Sequence, residues 1–155
     1  MPHIHEKIDF TVETFIVHKN KVLLRMHDKY YIWLSIGGHI ELDEDPVQAV
    51  VREAREEVGL NIKIAGSSPT LPDDKSGYQC LIAPRYLGSH NVNETHKHIV
   101  FVYFAVSDSD AISQSSMEHE RMETRWVTRE ELEDMNLRPN VLFYATEALK
   151  ELGEK

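Results

Sequence analysis

Residues 38–60 read GHIELDEDPVQAVVREAREEVGL, and this stretch is the most informative part of the sequence. Pro46 is well tolerated in the first turn of a helix, so the pattern predicts a helix that begins there. Glu53, Glu56 and Glu57 are spaced i, i+3 and i+4, which makes them neighbours on a helix surface. Clustered carboxylates repel one another unless a hard cation lies among their oxygens. The spacing therefore indicates a divalent-metal site.

The predicted helix has an apolar stripe and an acidic side. On a wheel of about 100° per residue, four small or β-branched residues lie within roughly 60° of Val47; they are Val50, Val51, Ala54 and Val58. Glu57 flanks this stripe at about 80°, while Glu53 and Glu56 lie at roughly 120° and 180°. We expect the stripe to pack on a sheet and the helix to end before Gly59. A solvated acidic face is the alternative for so Glu-rich a helix.

Three nearby residues favour a metal pocket over a solvated face. Gly38 leaves its carbonyl oxygen approachable, which offers a further ligand to a hard cation. Arg52 can orient a carboxylate through a forked pair of hydrogen bonds. Glu44, where the loop meets the helix, can reach the same pocket or hydrogen-bond a metal-bound water.

The segment resembles the Nudix box: Gly, five residues, Glu, seven residues, then Arg-Glu-aliphatic-any-Glu-Glu-any-Gly-aliphatic. The matching positions are Gly38, Glu44, Arg52, Glu53, Glu56, Glu57 and Gly59, with Ala54 and Leu60 at the aliphatic places. The resemblance implies an α/β fold, a Nudix-type α/β/α sandwich with a mixed β-sheet, over a single domain of residues 1–155. It also implies hydrolysis of a nucleoside diphosphate linked to another moiety.

The resemblance further implies a role for each matching residue. Glu56 and Glu57 would bind Mg²⁺ or Mn²⁺ directly, Gly38 would lend its carbonyl, and Glu53 would be a ligand or the base that deprotonates water. Arg52 would orient a carboxylate. Glu44 would support the metal ligands or bind a further metal. The alternative bases are two acids in the loop before Trp126, namely Glu118 and Glu120.

Composition and charge exclude several functional classes. The 155 residues fit one domain of ordinary size. The net charge of −9 argues against a nucleic-acid polymer or an anionic membrane as partner. No apolar run approaches the roughly 20 residues of a membrane span, and the opening residues lack the apolar centre of a signal peptide. Because the single Cys80 cannot form an internal disulfide, we expect a cytoplasmic protein.

The rest of the chain predicts strands with interspersed helices. Strands are expected at residues 9–17 and 22–26, joined by a hairpin turn, and at 30–36, where Gly37-Gly38 is expected to break the strand. Further strands are expected at 61–65, 78–87, 98–106 and 124–127. Thr128 and Arg138-Pro139 begin two later helices. Residues 66–77 and 107–120 are expected to be loops.

A few residues outside the box could contact a substrate or a second metal. Tyr30 and Tyr31 could stack on a nucleobase, whereas core packing is favoured for Trp33. The sequence His96-Lys97-His98 resembles part of a metal cluster but lacks a clear third ligand, so phosphate contact or solvent exposure is favoured. The cations considered as phosphate partners are Arg25, Arg85 and Lys97.

Within the Nudix resemblance, the small single-domain form favours a small-molecule substrate, either a (d)NTP or a related nucleotide. An ADP-ribose or dinucleoside-polyphosphate hydrolase is an alternative within the family. A catalytically silent Nudix module that only binds a nucleotide is an alternative from another class, although such modules usually lose box carboxylates and this chain keeps them. A homodimer is compatible with the resemblance, but no interface is apparent in the sequence.

Overall fold

The computed structural model describes residues 6–27, 31–114 and 123–154. Within these ranges, eight strands form one sheet: β1 Ile8–His18, β2 Lys21–His27, β3 Ile32–Leu34, β4 Ile36–His39, β5 Ile62–Ile64, β6 Tyr86–Asn91, β7 Lys97–Ser107 and β8 Thr124–Val127. The helices are α1 Pro46–Val58, α2 Arg129–Asp134 and α3 Pro139–Leu152.

The sheet is mixed, as the sequence predicts. Its main path runs β3-β2-β1-β7-β5, and β4, β6 and β8 pair with β1, β7 and β2 respectively. The central strands β1 and β7 are parallel, with Asp9 opposite His98, whereas the other pairs are antiparallel. Since β4 joins β1 on the side opposite β7, residues from β4, β1 and β7 lie next to one another across the sheet.

Helices cover both faces of this sheet. Alternate residues of β1 point to opposite faces: Phe15 and Val17 pack in a core with Val141 and Ala145 of α3. Val12 and Ile16 pack on the other face against α1, in clusters that contain Val50 and Ala54. This three-layer arrangement confirms the predicted α/β/α sandwich.

Helix α1 begins and ends where the sequence predicts. The Asp45 carboxylate accepts a hydrogen bond from the Gln48 N–H at 2.8 Å, and the Gln48 side chain accepts one from the Asp45 N–H at 2.9 Å. Gly59 ends the helix in the left-handed conformation with φ of 68°, which favours glycine. These local signals mark both ends of the helix.

The buried face of α1, however, differs from the predicted stripe. Val47 and Val51 are only half-buried, whereas Ala49 and Glu53 are buried. The buried face is therefore rotated by about 60° towards the glutamates relative to the apolar stripe. The prediction that Glu53 lies on the outer side was wrong, because Glu53 faces β4 and is paired there by a neighbouring arginine, which lets a carboxylate be buried.

Two predicted strand boundaries were also wrong. Gly37 and Gly38 do not break a strand but lie inside β4, where a Cβ on Gly37 would be only 2.0 Å from the Val12 carbonyl oxygen. The glycine thus permits a close approach to β1. The strand predicted at 78–87 begins only at Tyr86, since Pro84 has no N–H to donate to a ladder.

Among the described residues, no helix combines the length and the apolar character that a membrane crossing requires.

Candidate active site

The box residues converge where α1 passes over β4. Glu53 is 5% exposed, and its carboxylate lies directly against Gly38. A Cβ on Gly38 would lie 2.4 Å from Glu53 Oε1 and 2.9 Å from its Cδ. The space that a larger residue would fill is therefore occupied by the carboxylate.

Arg52 holds several of the acids in place. Its Nε and one terminal nitrogen donate to the two carboxylate oxygens of Glu44, at 2.9 and 2.6 Å. The other terminal nitrogen donates to Glu53 at 3.1 Å and to Glu56 at 3.2 Å. A further bond of 3.1 Å runs to the carbonyl oxygen of His39 on β4. The forked pair expected of Arg52 is present, and Glu44 is its partner.

Glu57 is held from the opposite side. Its carboxylate forms an ion pair with Arg25 of β2 and accepts a hydrogen bond of 3.3 Å from the Gly37 N–H. Arg25, which the sequence suggests only as a phosphate partner, thus lies at the edge of the carboxylate cluster. The sequence gives no local signal for this pair, because Arg25 and Glu57 lie on different elements that meet only in the fold.

The carboxylates differ in their exposure to solvent. The side chain of Glu56 is 61% exposed, compared with 7% for Glu53 and 11% for Glu57. The cluster has five carboxylates and two guanidinium groups, which leaves three negative charges when all are ionised; the members are Glu41, Glu44, Glu53, Glu56, Glu57, Arg25 and Arg52. This negative charge and the all-oxygen donor set fit a hard divalent cation such as Mg²⁺ or Mn²⁺.

The protonation of the cluster follows from its contacts. The hydrogen bond from Arg52 lowers the pKa of Glu44, and partial burial opposes this effect. Burial raises the pKa of Glu53, although the charge of Arg52 counteracts it. The bond to Glu44 also keeps the pKa of Arg52 above its ordinary value. Glu44 is thus held as an anion, whereas Glu53 has the higher affinity for a proton.

Other sequence-predicted residues lie away from this cluster or outside the described ranges. Tyr31 is 82% exposed, and Trp33 packs against the α3 side of the core as a partly buried side chain. Arg85 forms an ion pair with Glu151 of α3. Three further residues fall outside the part of the chain that the structure describes, namely Tyr30, Glu118 and Glu120.

The expectation of solvent exposure was wrong for both histidines of His96-Lys97-His98, and the expectation of phosphate contact stays a prediction. His96 is only 5% exposed and His98 is half-buried, so neither side chain is simply solvated. Asp9 and His39 also lie beside His98, with ligand atoms of the three residues within 4.8 Å of one another. The sequence does not predict that Asp9 and His39 lie beside His98, because the three residues come from three strands whose register is set by long-range pairing.

Comparisons with known proteins bear on the family and the fold. A family model described as the NUDIX domain matches residues 11–146. A solved structure of a NUDIX-family hydrolase from Clostridium perfringens is similar, with 39% identity and a TM-score of 0.81 over 93% of this chain and 97% of that chain. Among curated proteins, no significant match is found.

More distant structures share the fold. A MutT protein from Methanosarcina mazei is 20% identical with a TM-score of 0.63, over 98% of this chain and 99% of that chain. A MutT NUDIX hydrolase from Burkholderia pseudomallei is 20% identical with a TM-score of 0.61, over 95% of this chain and 99% of that chain. At such identity the likeness concerns the fold alone.

Proposed function

Because the chain belongs to the Nudix hydrolase family, we propose that it is a metal-dependent pyrophosphohydrolase that cleaves a nucleoside diphosphate linked to another moiety. A (d)NTP or a related nucleotide is the favoured substrate. The observation that carries the proposal is the oxygen cluster formed by Glu53, Glu56 and Glu57 beside Gly38. Its residual charge suits a divalent cation that bridges to an anionic phosphate.

The residues proposed to hold Mg²⁺ or Mn²⁺ are the three glutamates of α1 and the carbonyl of Gly38, where Glu56 and Glu57 bind the cation directly and Glu53 is either a further ligand or the base. A cation bound there would neutralise phosphate charge and make a bound water more acidic. Glu56 is the most exposed of the three and can turn towards an incoming ligand without leaving a buried pocket. Glu53 and Glu57 are held by arginines, which fixes the inner wall of the site.

Glu53 is proposed as the base that takes a proton from the attacking water. Burial raises the pKa of its carboxyl, so this group holds a proton more readily than an exposed glutamate does. Its contact with Gly38 restricts where the oxygen can lie. The loop acids Glu118 and Glu120 are the alternative, and they lie outside the described residues.

Arg52 and Glu44 are proposed as positioning residues. Their forked ion pair is anchored at one end to the His39 carbonyl and at the other to Glu53, so it sets the direction of the Glu53 carboxylate. Arg25 is proposed to contact a substrate phosphate, because its guanidinium lies beside Glu57 at the edge of the cluster.

We also propose that residues 1–155 form one domain, since the family match spans residues 11–146. A cytoplasmic location is proposed from the single Cys80, which cannot form an internal disulfide. The formation of a homodimer stays a prediction.

A nucleotide panel tests this function. The purified chain is assayed with (d)NTPs, oxidised dGTP, ADP-ribose, dinucleoside polyphosphates and nucleotide sugars, with Mg²⁺, with Mn²⁺ and with a chelator. Hydrolysis in ¹⁸O-labelled water then identifies the attacked phosphorus from the product that carries the label. Cation-dependent cleavage of a pyrophosphate bond is the expected result. If a nucleotide binds and raises the melting temperature of the protein but is not cleaved, the catalytically silent module is favoured instead.

A further inference from the structure

A second cluster of metal-ligating side chains lies on the face of the sheet opposite α1. Asp9 is opposite His98 in the β1–β7 pairing, and Thr11, two residues further along β1, is opposite His39 of β4. Because paired residues share a face and alternate residues return to it, the side chains of Asp9, His39 and His98 point to the same side. Three strands thus bring one carboxylate and two imidazoles together.

We propose that Asp9, His39 and His98 form a binding site for a borderline-soft divalent cation such as Zn²⁺, separate from the glutamate cluster of α1. One ligand atom from each residue lies within 4.8 Å of the others. Imidazole nitrogen with carboxylate oxygen is a donor set that Zn²⁺ accepts, whereas Mg²⁺ prefers oxygen alone. The two sites would therefore select different metals by their donor atoms.

The distances around Asp9 suit a compact metal polyhedron. His39 Nε2 is 3.3 Å from Asp9 Oδ2, and His96 Nε2 is 3.4 Å from the same oxygen. Bonds of about 2.0–2.1 Å in a tetrahedral zinc site put neighbouring ligand atoms about 3.3–3.4 Å apart. His96 is thus close enough to supply a fourth ligand, after small side-chain rotations bring His98 inward.

The environment of His96 gives independent support. Its Nδ1 lies 2.8 Å from the Glu6 carbonyl oxygen, which can only accept a hydrogen bond, so Nδ1 carries a proton. In the neutral imidazole, Nε2 then directs a lone pair towards the carboxylate of Asp9. A cation bound between Nε2 and the Asp9 oxygen 3.4 Å away would contact both atoms. A backbone carbonyl that fixes the outer nitrogen is also the usual support of a metal-binding histidine.

Burial indicates a structural site rather than a catalytic one. Asp9 is 0%, His39 8% and His96 5% exposed, so the centre of the cluster is closed to solvent. Closed sites with four protein ligands are typical of structural zinc, which stabilises the fold that binds it. Here the cation would tie together β1, β4 and β7. It would also steady His39, whose carbonyl accepts a hydrogen bond from Arg52.

The full chain, stripped of metal with a chelator, provides the test. Co²⁺ serves as a spectroscopic probe, since a tetrahedral site gives intense visible absorption, and Zn²⁺ affinity is measured by calorimetry. The Glu56→Gln variant is included so that the glutamate cluster is weakened. We expect one equivalent of Zn²⁺ to bind, the Co²⁺ band to persist in Glu56→Gln, and Zn²⁺ to raise the melting temperature.

The decisive variant is His98→Asn, which keeps a polar side chain at a half-buried position. We expect it to weaken Zn²⁺ binding by more than about 100-fold, since even the loss of an outer hydrogen-bond partner costs 10–100-fold. His90→Asn is the matched control, because His90 is exposed and its ring centre lies 6.3 Å from that of His98. It should bind Zn²⁺ as the wild type does. Pyrophosphohydrolase activity with Mg²⁺ should survive in both variants.

A measurement on the unmodified chain avoids any dependence on the folding of a variant. Added Zn²⁺ should shift the ¹⁵N resonances of the His39 and His98 imidazoles. Absence of the shift and of the Co²⁺ band in the wild type, or an undiminished band in His98→Asn, would overturn the site in favour of a protonated Asp–His cluster. Loss of the band in Glu56→Gln would assign it to the glutamates. Neither result depends on whether the chain hydrolyses nucleotides.

Discussion

The substitution Gly38→Ala changes the candidate active site by a single methyl group. Gly38 does not occupy the left-handed region of backbone conformations, so alanine introduces no backbone strain there. The new Cβ would instead meet the Glu53 carboxylate, 2.4 Å from Oε1. Its effect on activity therefore reports on the position of that carboxylate.

The size of the effect follows from the contact. Restoring an ordinary separation of 3.4 Å requires the Glu53 oxygen to move by about 1 Å, and a misplacement of that size costs about 100-fold in rate. This corresponds to about 2.7 kcal/mol in the activation barrier. Glu53 is buried and bonded to Arg52, so its carboxylate cannot swing freely aside.

The assay is the steady-state hydrolysis of the best nucleotide from the panel at saturating Mg²⁺. Gly88→Ala on β6 is the matched control, because a Cβ there would lie 3.9 Å from its nearest neighbour, the Tyr144 hydroxyl, an ordinary contact. We expect kcat to fall about 100-fold in Gly38→Ala and to stay at the wild-type value in the control. A Gly38→Ala protein that melts like the wild type and keeps its full kcat would refute the role of the Gly38–Glu53 contact.

Three further predictions concern stability, each measured by urea denaturation. Gly37→Ala places a Cβ 2.0 Å from a backbone carbonyl oxygen of the neighbouring strand and should lower the free energy of unfolding by about 3 kcal/mol. The control Gly88→Ala should not lower it, and equal stability of the two variants would contradict the close approach of the strands. Arg52→Lys keeps the charge but loses the forked pair of hydrogen bonds to Glu44, and it should lower the free energy of unfolding by about 2 kcal/mol. Arg55→Lys, on the exposed face of the helix, should leave the free energy of unfolding almost unchanged. A similar loss in both variants would argue against the forked pair. Burial raises the pKa of Glu13 from 4.5 to about 7. Between these pH values the folded state binds a proton that the unfolded chain has released. The free energy of unfolding should therefore fall as the pH rises from the lower to the higher value, by about 3 kcal/mol in total. Glu13→Gln should remove this dependence and be the more stable protein at pH 8; parallel pH profiles would show that the carboxyl is not buried in this way.

Local signals in the sequence predict much of the site. Pro46 and Gly59 mark the ends of α1 because caps depend on residues within a turn of the helix end. The spacing of Glu53, Glu56 and Glu57 is likewise local, since a helix makes i, i+3 and i+4 neighbours. These features were predictable without knowledge of the tertiary fold.

Features that depend on a partner elsewhere in the chain were not predictable. Hydrophobicity places Glu53 on an outer side of α1, but its pairing with Arg52 against β4 allows it to be buried. Gly37 reads as a strand breaker unless the close approach of β1 is known. The meeting of Asp9 with His98 depends on the register of β1 with β7, which sequence alternation alone does not set.

The most direct test of the central claim is the cation dependence of hydrolysis in Glu56→Gln. Glu56 is an exposed member of the cluster, so this substitution should leave the fold intact. Glu130→Gln on the exposed surface of α2 is the matched control. We predict that the wild type and the control cleave the nucleotide only with Mg²⁺ or Mn²⁺ and that Glu56→Gln shows no turnover above background. Hydrolysis without a divalent cation, or at the wild-type rate in Glu56→Gln, would contradict a catalytic metal site on α1.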